Sequence, residues 1–558
     1  MAALCTLSDE LINRVCVTRN EQVGVYGFVF YRDGEWQQSI IDDKLYLRAA
    51  DYDESVDERP LWDDLNRRNP EEEYRKAWQT GSRALYFAQC ADENETWLPL
   101  LEKAYAKAHG DYSAIEGGFI GEGVEDLTGG VTTEILSSNI LDKDRFWEDL
   151  LKVNKEFLFG CSTGLFADWL APYSTRPKER RGIIERHAYS IMEAREVNGI
   201  RLLKVRNPWG RTEWKGPWSD GSEEWTPEWM QILGHKFGND GVFWISYKDL
   251  LKKYQHFDRT RLLSPEWTVT QEWTSLSVPW STEYLNTRFE IELTKAGPVV
   301  IVLTQLDDRY FQGLQGEYEF RLQFRLEKEG EEEYIVRNTP TYMMTRSVNT
   351  DIELDAGRYF VRVKVIAYRR NARSTEEVVR CYANTRREKL IQIGRSYDMA
   401  HAKAPDLLAE RRKGVQCRLT AQPEQRGKAS AVDQMGPEQN KEVSESEGKD
   451  EHNEPQEENK PPNEAKSNGE QTGDVANEER FDNRGTKDGP SQEQPPPPNH
   501  DGDNSETSSH HESGEPWNAV CVVGLKVYSK DPELRLRVVK QVEEAELDRD
   551  DPALSVKE

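Results

Sequence analysis

Two polar residues stand at the ends of neighbouring apolar runs. His187 opens the run Ala188–Val197, and Asn207 follows Ile200–Arg206. If the two runs pair antiparallel, both side chains come to one end of the pair. An imidazole beside a carboxamide is two-thirds of a thiol-protease site. The ring holds a cysteine as its thiolate, and the amide fixes the ring's tautomer and angle. A histidine by itself is more often structural, so the spacing alone leaves both readings open. The remaining part would be a cysteine, and the chain has seven: Cys5, Cys16, Cys90, Cys161, Cys381, Cys417 and Cys521. Their odd number and irregular spacing argue against a disulfide framework. Apolar or mixed surroundings suit reduced, intracellular thiols.

The elements that must position these residues can be read from periodicity. Met1–Val17 has helical apolar spacing from its first residue, with no cap before it, which suggests missing sequence upstream. Val23–Phe30 and Glu35–Ile41 read as strands around the turn Arg32-Asp33-Gly34, Asp51–Glu73 as a charged surface insertion, and Trp97–Ala108 as a helix stopped by Gly110. Gly117–Gly130 is rich in glycine and acid. A phosphate cradle wants lysine or a helix N-terminus beside its glycines, so a turn-rich connection between two lobes is expected instead. Short strands follow at Phe157–Cys161, Ala188–Val197, Ile200–Arg206 and Val242–Ser246. Pro265–Arg370 alternates like a β-sandwich, clearest at Phe289–Leu293, Val299–Leu303, Glu319–Leu326 and Tyr359–Ala367.

The 558 residues include 101 acidic and 74 basic side chains, a net charge of -27. That argues against a general nucleic-acid binder, which needs a basic face. Gln422–Glu515 alone holds 24 acidic against 9 basic residues and Phe481 as its sole aromatic, so it should be disordered. No apolar run approaches the roughly 20 residues of a membrane helix, and the N-terminus lacks a signal peptide's basic region. A cytoplasmic protein is expected.

Four segments in order carry a family likeness: Leu100-Leu-Glu-Lys-Ala-Tyr-Ala-Lys107, Gly123-Val-Glu-Asp-Leu-Thr-Gly-Gly130, His187-Ala-Tyr-Ser-Ile191 and Arg206-Asn-Pro-Trp-Gly210. The last continues into Glu213-Trp-Lys-Gly-Pro-Trp-Ser-Asp220. Together they resemble the calpain family of calcium-dependent cysteine proteases. The resemblance implies an α+β fold: a papain-like two-lobe protease core followed by an antiparallel, C2-like β-sandwich. It makes His187 and Asn207 catalytic and Trp209 the wedge that blocks the cleft until calcium binds. It places calcium, the expected cofactor, on Glu213, Asp220 and Asp240, and a further ligand on Glu95. Where the family commonly has Asp-Gly-Glu-Phe-Trp, this chain has Asp240-Gly-Val-Phe-Trp244, so Val242 removes one carboxylate. Met1-Ala2-Ala3-Leu4 looks like the continuation of the family's nucleophile motif, which puts that cysteine and the oxyanion-hole glutamine before Met1. The chain as it stands is then expected to be inactive, a fragment of an endopeptidase acting on intracellular proteins. The alternative is a catalytically inactive scaffold whose sandwich contacts phospholipid or a protein partner.

The expected organisation is a partial first lobe over 1–116, a second lobe over 117–263, and the sandwich with a basic extension over 264–420. A disordered acidic linker over 421–515 follows, then a β-hairpin over 516–545 docking on the sandwich and an acidic tail over 546–558. The hairpin reading rests on Ala519–Tyr528 and Leu534–Val538 alternating around Ser529-Lys-Asp-Pro532.

Overall fold

The computed structural model describes residues 10–53, 69–90, 92, 94–164, 179–311, 317–338, 344–370, 375–404 and 517–540. The chain divides into two units, Met1–Ala421 with Pro516–Glu558, and Gln422–Glu515; all described residues lie in the first. The opening turns of the expected N-terminal helix, much of the 51–73 insertion, the acidic linker and the acidic tail fall outside the described residues. What is described mixes helices with several antiparallel sheets, an α+β protein. No helix among the described residues is long and apolar enough to cross a membrane.

The first sheet is the meander β1 (Cys16–Asn20), β2 (Val25–Arg32) and β3 (Glu35–Asp42). Its tight turn is Asp33-Gly34, both at positive φ (47° and 86°), as a two-residue hairpin turn demands. Phe28, Phe30 and Ile41 of this sheet pack on Leu100, Leu101 and Ala104 of the helix Trp97–His109, and on Val124 and Leu127 of a second helix, Ile120–Thr128.

That second helix corrects the reading of Gly117–Gly130 as a turn-rich connection. Gly121 lies where a Cβ would stand 2.5 Å from Thr132 Cγ2 and 2.7 Å from Met344 Sδ, so glycine here permits close packing. The acidic residues are buried against arginines far away in sequence. Arg346 donates all five of its N–H groups: Nε to Glu125 (3.2 Å), Nη1 to Asp126 (2.7 Å) and Asp307 (2.8 Å), Nη2 to Glu125 (2.6 Å) and the Glu122 carbonyl (3.0 Å). Arg309 pairs with Glu122 at 2.7 Å. Replacing Arg346 by methionine strands these carboxylates and should cost about 3–5 kcal/mol. Chemical denaturation should show that deficit at pH 8 and a smaller one at pH 5, where Glu122, whose carboxyl pKa burial raises to about 7 against the pull of Arg346, is protonated. An equal deficit at both values would mean that lost packing, not charge, is responsible.

The second sheet collects β4 (Val131–Leu136), β5 (Phe157–Thr163), β8 (His187–Val197), β9 (Ile200–Arg206), β10 (Val242–Ser246) and β11 (His256–Arg261), in the order β10-β9-β8-β5-β11-β4; the short strands β6 (Glu179–Arg180) and β7 (Ile183–Ile184) form a separate ribbon. One face carries Phe159, Cys161, Tyr189, Ile191 and Phe257 into a core with Phe146, Trp147 and Leu150.

Two further sheets follow. β12 (Thr268–Ser277), β14 (Gly297–Gln305), β17 (Ser347–Leu354) and β19 (Val520–Ser529) run in the order β12-β19-β14-β17. β13 (Arg288–Leu293), β15 (Tyr318–Lys328), β16 (Tyr334–Asn338), β18 (Gly357–Arg369) and β20 (Arg535–Val539) run in the order β16-β15-β18-β13-β20. Residues of both join one apolar core, among them Phe289, Ile301, Phe324, Val361 and Leu525. The basic extension contributes the helices Thr375–Tyr382 and Arg387–Lys403; Lys389 of the latter pairs with Asp111, and Lys403 with Glu35.

The expected C-terminal hairpin is corrected. Both strands exist, but they do not pair with each other. β19 lies between β12 (Thr268↔Ser529 to Ser277↔Val520) and β14 (Val299↔Ser529 to Gln305↔Val523), whereas β20 pairs with β13. The reason is in the side chains. β19 is buried on both faces and therefore takes an interior place. The corner is fixed by Asp531, whose carboxylate accepts from Thr294 N (2.6 Å) and Lys295 N (3.1 Å) where β13 passes to β14.

Candidate functional site

β8 and β9 are joined by Asn198-Gly199, again both at positive φ, and pair from Val197↔Ile200 outward. A register shift between Ile191 and Glu193 bends β8. His187 begins β8 opposite Thr163 of β5, and Asn207 leaves β9 with its amide N–H donated to the Gly241 carbonyl at 2.7 Å. The two side chains meet: His187 Nε2 lies 2.7 Å from Asn207 Oδ1.

The protonation of the ring follows from its neighbours. Asn207 is fully buried (0% exposed). Its Nδ2 donates to the carbonyls of Arg211 (2.7 Å) and Thr212 (3.0 Å), while Oδ1 also accepts the Trp209 N–H (3.1 Å). Carbonyls only accept, so the amide orientation is fixed, and an acceptor oxygen faces the histidine. Nε2 must therefore carry the proton, which leaves Nδ1 as the basic nitrogen. Burial pulls the His187 pKa below its ordinary value, and the Asn207 bond opposes this. The Trp209 ring, 55% exposed, lies over the imidazole with centroids 4.1 Å apart and planes at 36°. The sequence thus brought His187, Asn207 and Trp209 to one place, and the structure has them in contact.

Comparison with known proteins fits this arrangement. Residues 77–260 match the model of the calpain family cysteine protease. Calpain-type cysteine protease ADL1 of Oryza sativa subsp. japonica is 38% identical over 297 residues, 51% of this chain and 12% of that protein. Calpain clp-1 of Caenorhabditis elegans is 35% identical over 272 residues (46% and 30%), and calpain-9 of Mus musculus 35% over 279 (47% and 34%). Over residues 77–260 the chain is a calpain-family sequence. It spans from about an eighth to a third of the length of these relatives.

The matched stretch takes in β4 to β10 and most of β11, with His187, Asn207 and Trp209 among them. The carboxylates that the sequence pointed to for calcium are differently disposed. Glu213 Oε1 accepts the Gly241 N–H at 2.8 Å. Asp220 is held by His235 Nε2 (2.6 Å) and the Gly238 N–H (2.8 Å), and Asp240 by the Val242 N–H (2.9 Å). Burial raises the Glu213 pKa, and the charges of Asp220 and Asp240 add to the rise, so the three feel one another. They nonetheless do not converge: no group of three or more His, Cys, Asp or Glu among the described residues could hold a metal ion. Glu95 is exposed and accepts Trp97 Nε1 at 3.1 Å. These side chains do not fit a calcium shell as they stand.

Among the described cysteines, Cys16, Cys161 and Cys521 are not activated thiols either. Cys161 faces the core opposite Tyr189, and burial pushes its pKa well up; burial does the same for Cys521 and, less, for Cys16. Cys5 and Cys417 lie outside the described residues.

A second imidazole escaped the sequence reading. His256 Nε2 lies 2.5 Å from Glu134, with Nδ1 3.5 Å from Ser162 Oγ and 3.6 Å from Asp258. This face of β4, β5 and β11 is buried beneath the helix Ile120–Thr128, where Gly121 and Gly160 allow the approach, so the cluster is structural. The polar alternation His256, Asp258, Thr260 around Phe257 was its signal. Burial lifts the Asp258 pKa to about 7. A carboxyl raised from roughly 3.9 when unfolded contributes stability that is full below that value and lost as pH rises through about 7. Asp258→Asn should therefore remove part of the fall in melting temperature between pH 5.5 and 8. An unaltered slope would show that Asp258 does not titrate there.

Proposed function

We propose that this chain carries the imidazole and amide of a papain-like cysteine endopeptidase that cleaves intracellular proteins. The single observation behind the proposal is the His187–Asn207 hydrogen bond at 2.7 Å, with the Asn207 amide locked by two carbonyls. In this reading Nδ1 of His187 takes the proton of a cysteine thiol and holds the thiolate as an ion pair. The same nitrogen then returns the proton to the leaving amine. Asn207 keeps the ring in the tautomer that frees Nδ1, and Trp209 shields the bond between them from water. Residues 1–116 and 117–263 are the two lobes, and the sheets of β12 to β20 are a C2-like β-sandwich.

In this reading the thiol belongs to a first-lobe segment, three residues ahead of Met1. The test is to supply it: fuse a first-lobe segment ending in Gly-Asp-Cys-Trp-Phe in frame to Met1, and assay casein cleavage with and without calcium. Cleavage abolished by thiol alkylation is the expected result. A fused protein that folds yet leaves casein intact under both conditions would sink the proposal. Calcium dependence is the family's general habit. With Glu213, Asp220 and Asp240 committed to protein donors, any calcium effect here should be weak, and no chemical step is assigned to the ion.

A further inference from the structure

The dyad's support runs through a closed circuit of hydrogen bonds. Asn207 Nδ2 grips the carbonyls of Arg211 and Thr212. The next residue is Glu213, whose Oε1 accepts the Gly241 N–H at 2.8 Å; the carbonyl of that same Gly241 accepts Asn207 N–H at 2.7 Å. The circuit begins and ends on Asn207. Its loop is folded tightly, with Gly210 and Thr212 at φ 65° and 66°. Gly241 is pressed into it: at φ +80° a Cβ would stand 2.7 Å from the Asn207 carbonyl oxygen, 2.9 Å from Gly210 Cα and 3.0 Å from Arg211 N. Both backbone polar groups of Gly241 are thus used, its N–H by Glu213 and its carbonyl by Asn207. A carboxylate accepting a backbone N–H is among the stronger hydrogen bonds available to such a loop.

We infer that Glu213 is a positioning residue, which through Gly241 holds Asn207 in the orientation that keeps His187 Nε2 protonated, and that it does so as a hydrogen-bond acceptor without a metal ion. The inference rests on the dyad reading above. It assigns to the protein's own N–H donor the carboxylate that the family resemblance would give to calcium. The other two carboxylates agree with it. Asp220 and Asp240 are satisfied by His235, Gly238 and Val242, and the backbone unit beside Asp240 already belongs to the circuit.

The experiment is long-range 1H–15N NMR of the full chain labelled at histidine, with His187 assigned by its loss in His187→Gln. The parent should show His187 as a single Nε2–H tautomer, unchanged by millimolar calcium. Glu213→Gln keeps an acceptor oxygen and should keep that signal. Glu213→Ala and Gly241→Ala should lose it to a mixture of tautomers, while the His256 signals stay in place as the control for folding. If Glu213→Ala does not fold, Glu213→Asp, whose shorter arm withdraws from the Gly241 N–H, carries the same comparison. A parent that lacks the Nε2–H tautomer both with and without calcium refutes the dyad reading itself. A parent that has it, with Glu213→Ala or Glu213→Asp folded and unchanged, refutes only the positioning role. A tautomer that appears in the parent only on adding calcium overturns the metal-free part and returns Glu213 to the ion.

Discussion

Excising Trp517–Val539 unfolds both sheets of the β12–β20 region rather than trimming an edge. β19 lies inside its sheet, in register with β12 over ten residues and with β14 over seven. Without it, β12 has no partner in that sheet. Its side chains Cys521, Val523, Leu525 and Val527 sit in the core shared by the two sheets, and Leu534 joins them from the corner. Burying an aliphatic side chain is worth roughly 1.5–3 kcal/mol, so four or five of them approach the 5–15 kcal/mol that holds a typical domain. Losing β20 bares the edge of β13 as well. The expected readout is loss of the cooperative melting transition and rapid proteolysis within Thr268–Arg369. Replacing Gln422–Gly514 by a short flexible linker should leave that transition in place, because loop entropy changes only logarithmically with length. An excised protein that melts as the parent does would show that β19 is dispensable.

How much of this was legible in the sequence depends on how local each cause is. The strands of β8, β9 and β10 and the helix Trp97–His109 follow from alternation, turn glycines and helical spacing within short windows. His187 and Asn207 were legible for the same reason, since a two-residue turn between paired strands carries both ends to one place. What failed were statements about partners. Alternation says that Val520–Val527 is a strand, but not that its neighbours begin 252 and 223 positions earlier, at Thr268 and Gly297. Gly117–Gly130 hid a helix because its acids are neutralised by Arg309 and Arg346, from 187 to 221 positions away. Glu213, Asp220 and Asp240 are near one another in both readings. Only the structure shows that each is occupied by an N–H donor, because three of the four donors, those of Gly238, Gly241 and Val242, are backbone groups with no side-chain signature, and the fourth, His235, lies 15 residues from Asp220.

The largest single-residue effect is expected at His187 once a nucleophile is supplied. In the fused protein, His187→Ala removes both the base that makes the thiolate and the acid that protonates the leaving amine, so turnover should fall on the order of 10⁶-fold, as for loss of any essential member of such a unit. Asn207→Ala should cost less, because the ring remains. Without Oδ1 to hold Nε2–H, part of the population adopts the tautomer whose proton sits on Nδ1, the wrong nitrogen for accepting from sulfur. Asn207→Ala also frees the carbonyls of Arg211 and Thr212 and the N–H of Trp209. Its stability loss should therefore exceed that of His187→Ala, although its activity loss is smaller. This inverse order is the informative result. A side chain that only packs would lower activity and melting temperature together, whereas a half-buried catalytic imidazole with one hydrogen bond should affect rate far more than fold. If His187→Ala kept turnover within about tenfold of the parent, His187 would be a structural histidine, and the thiol chemistry would have to be sought elsewhere in the chain.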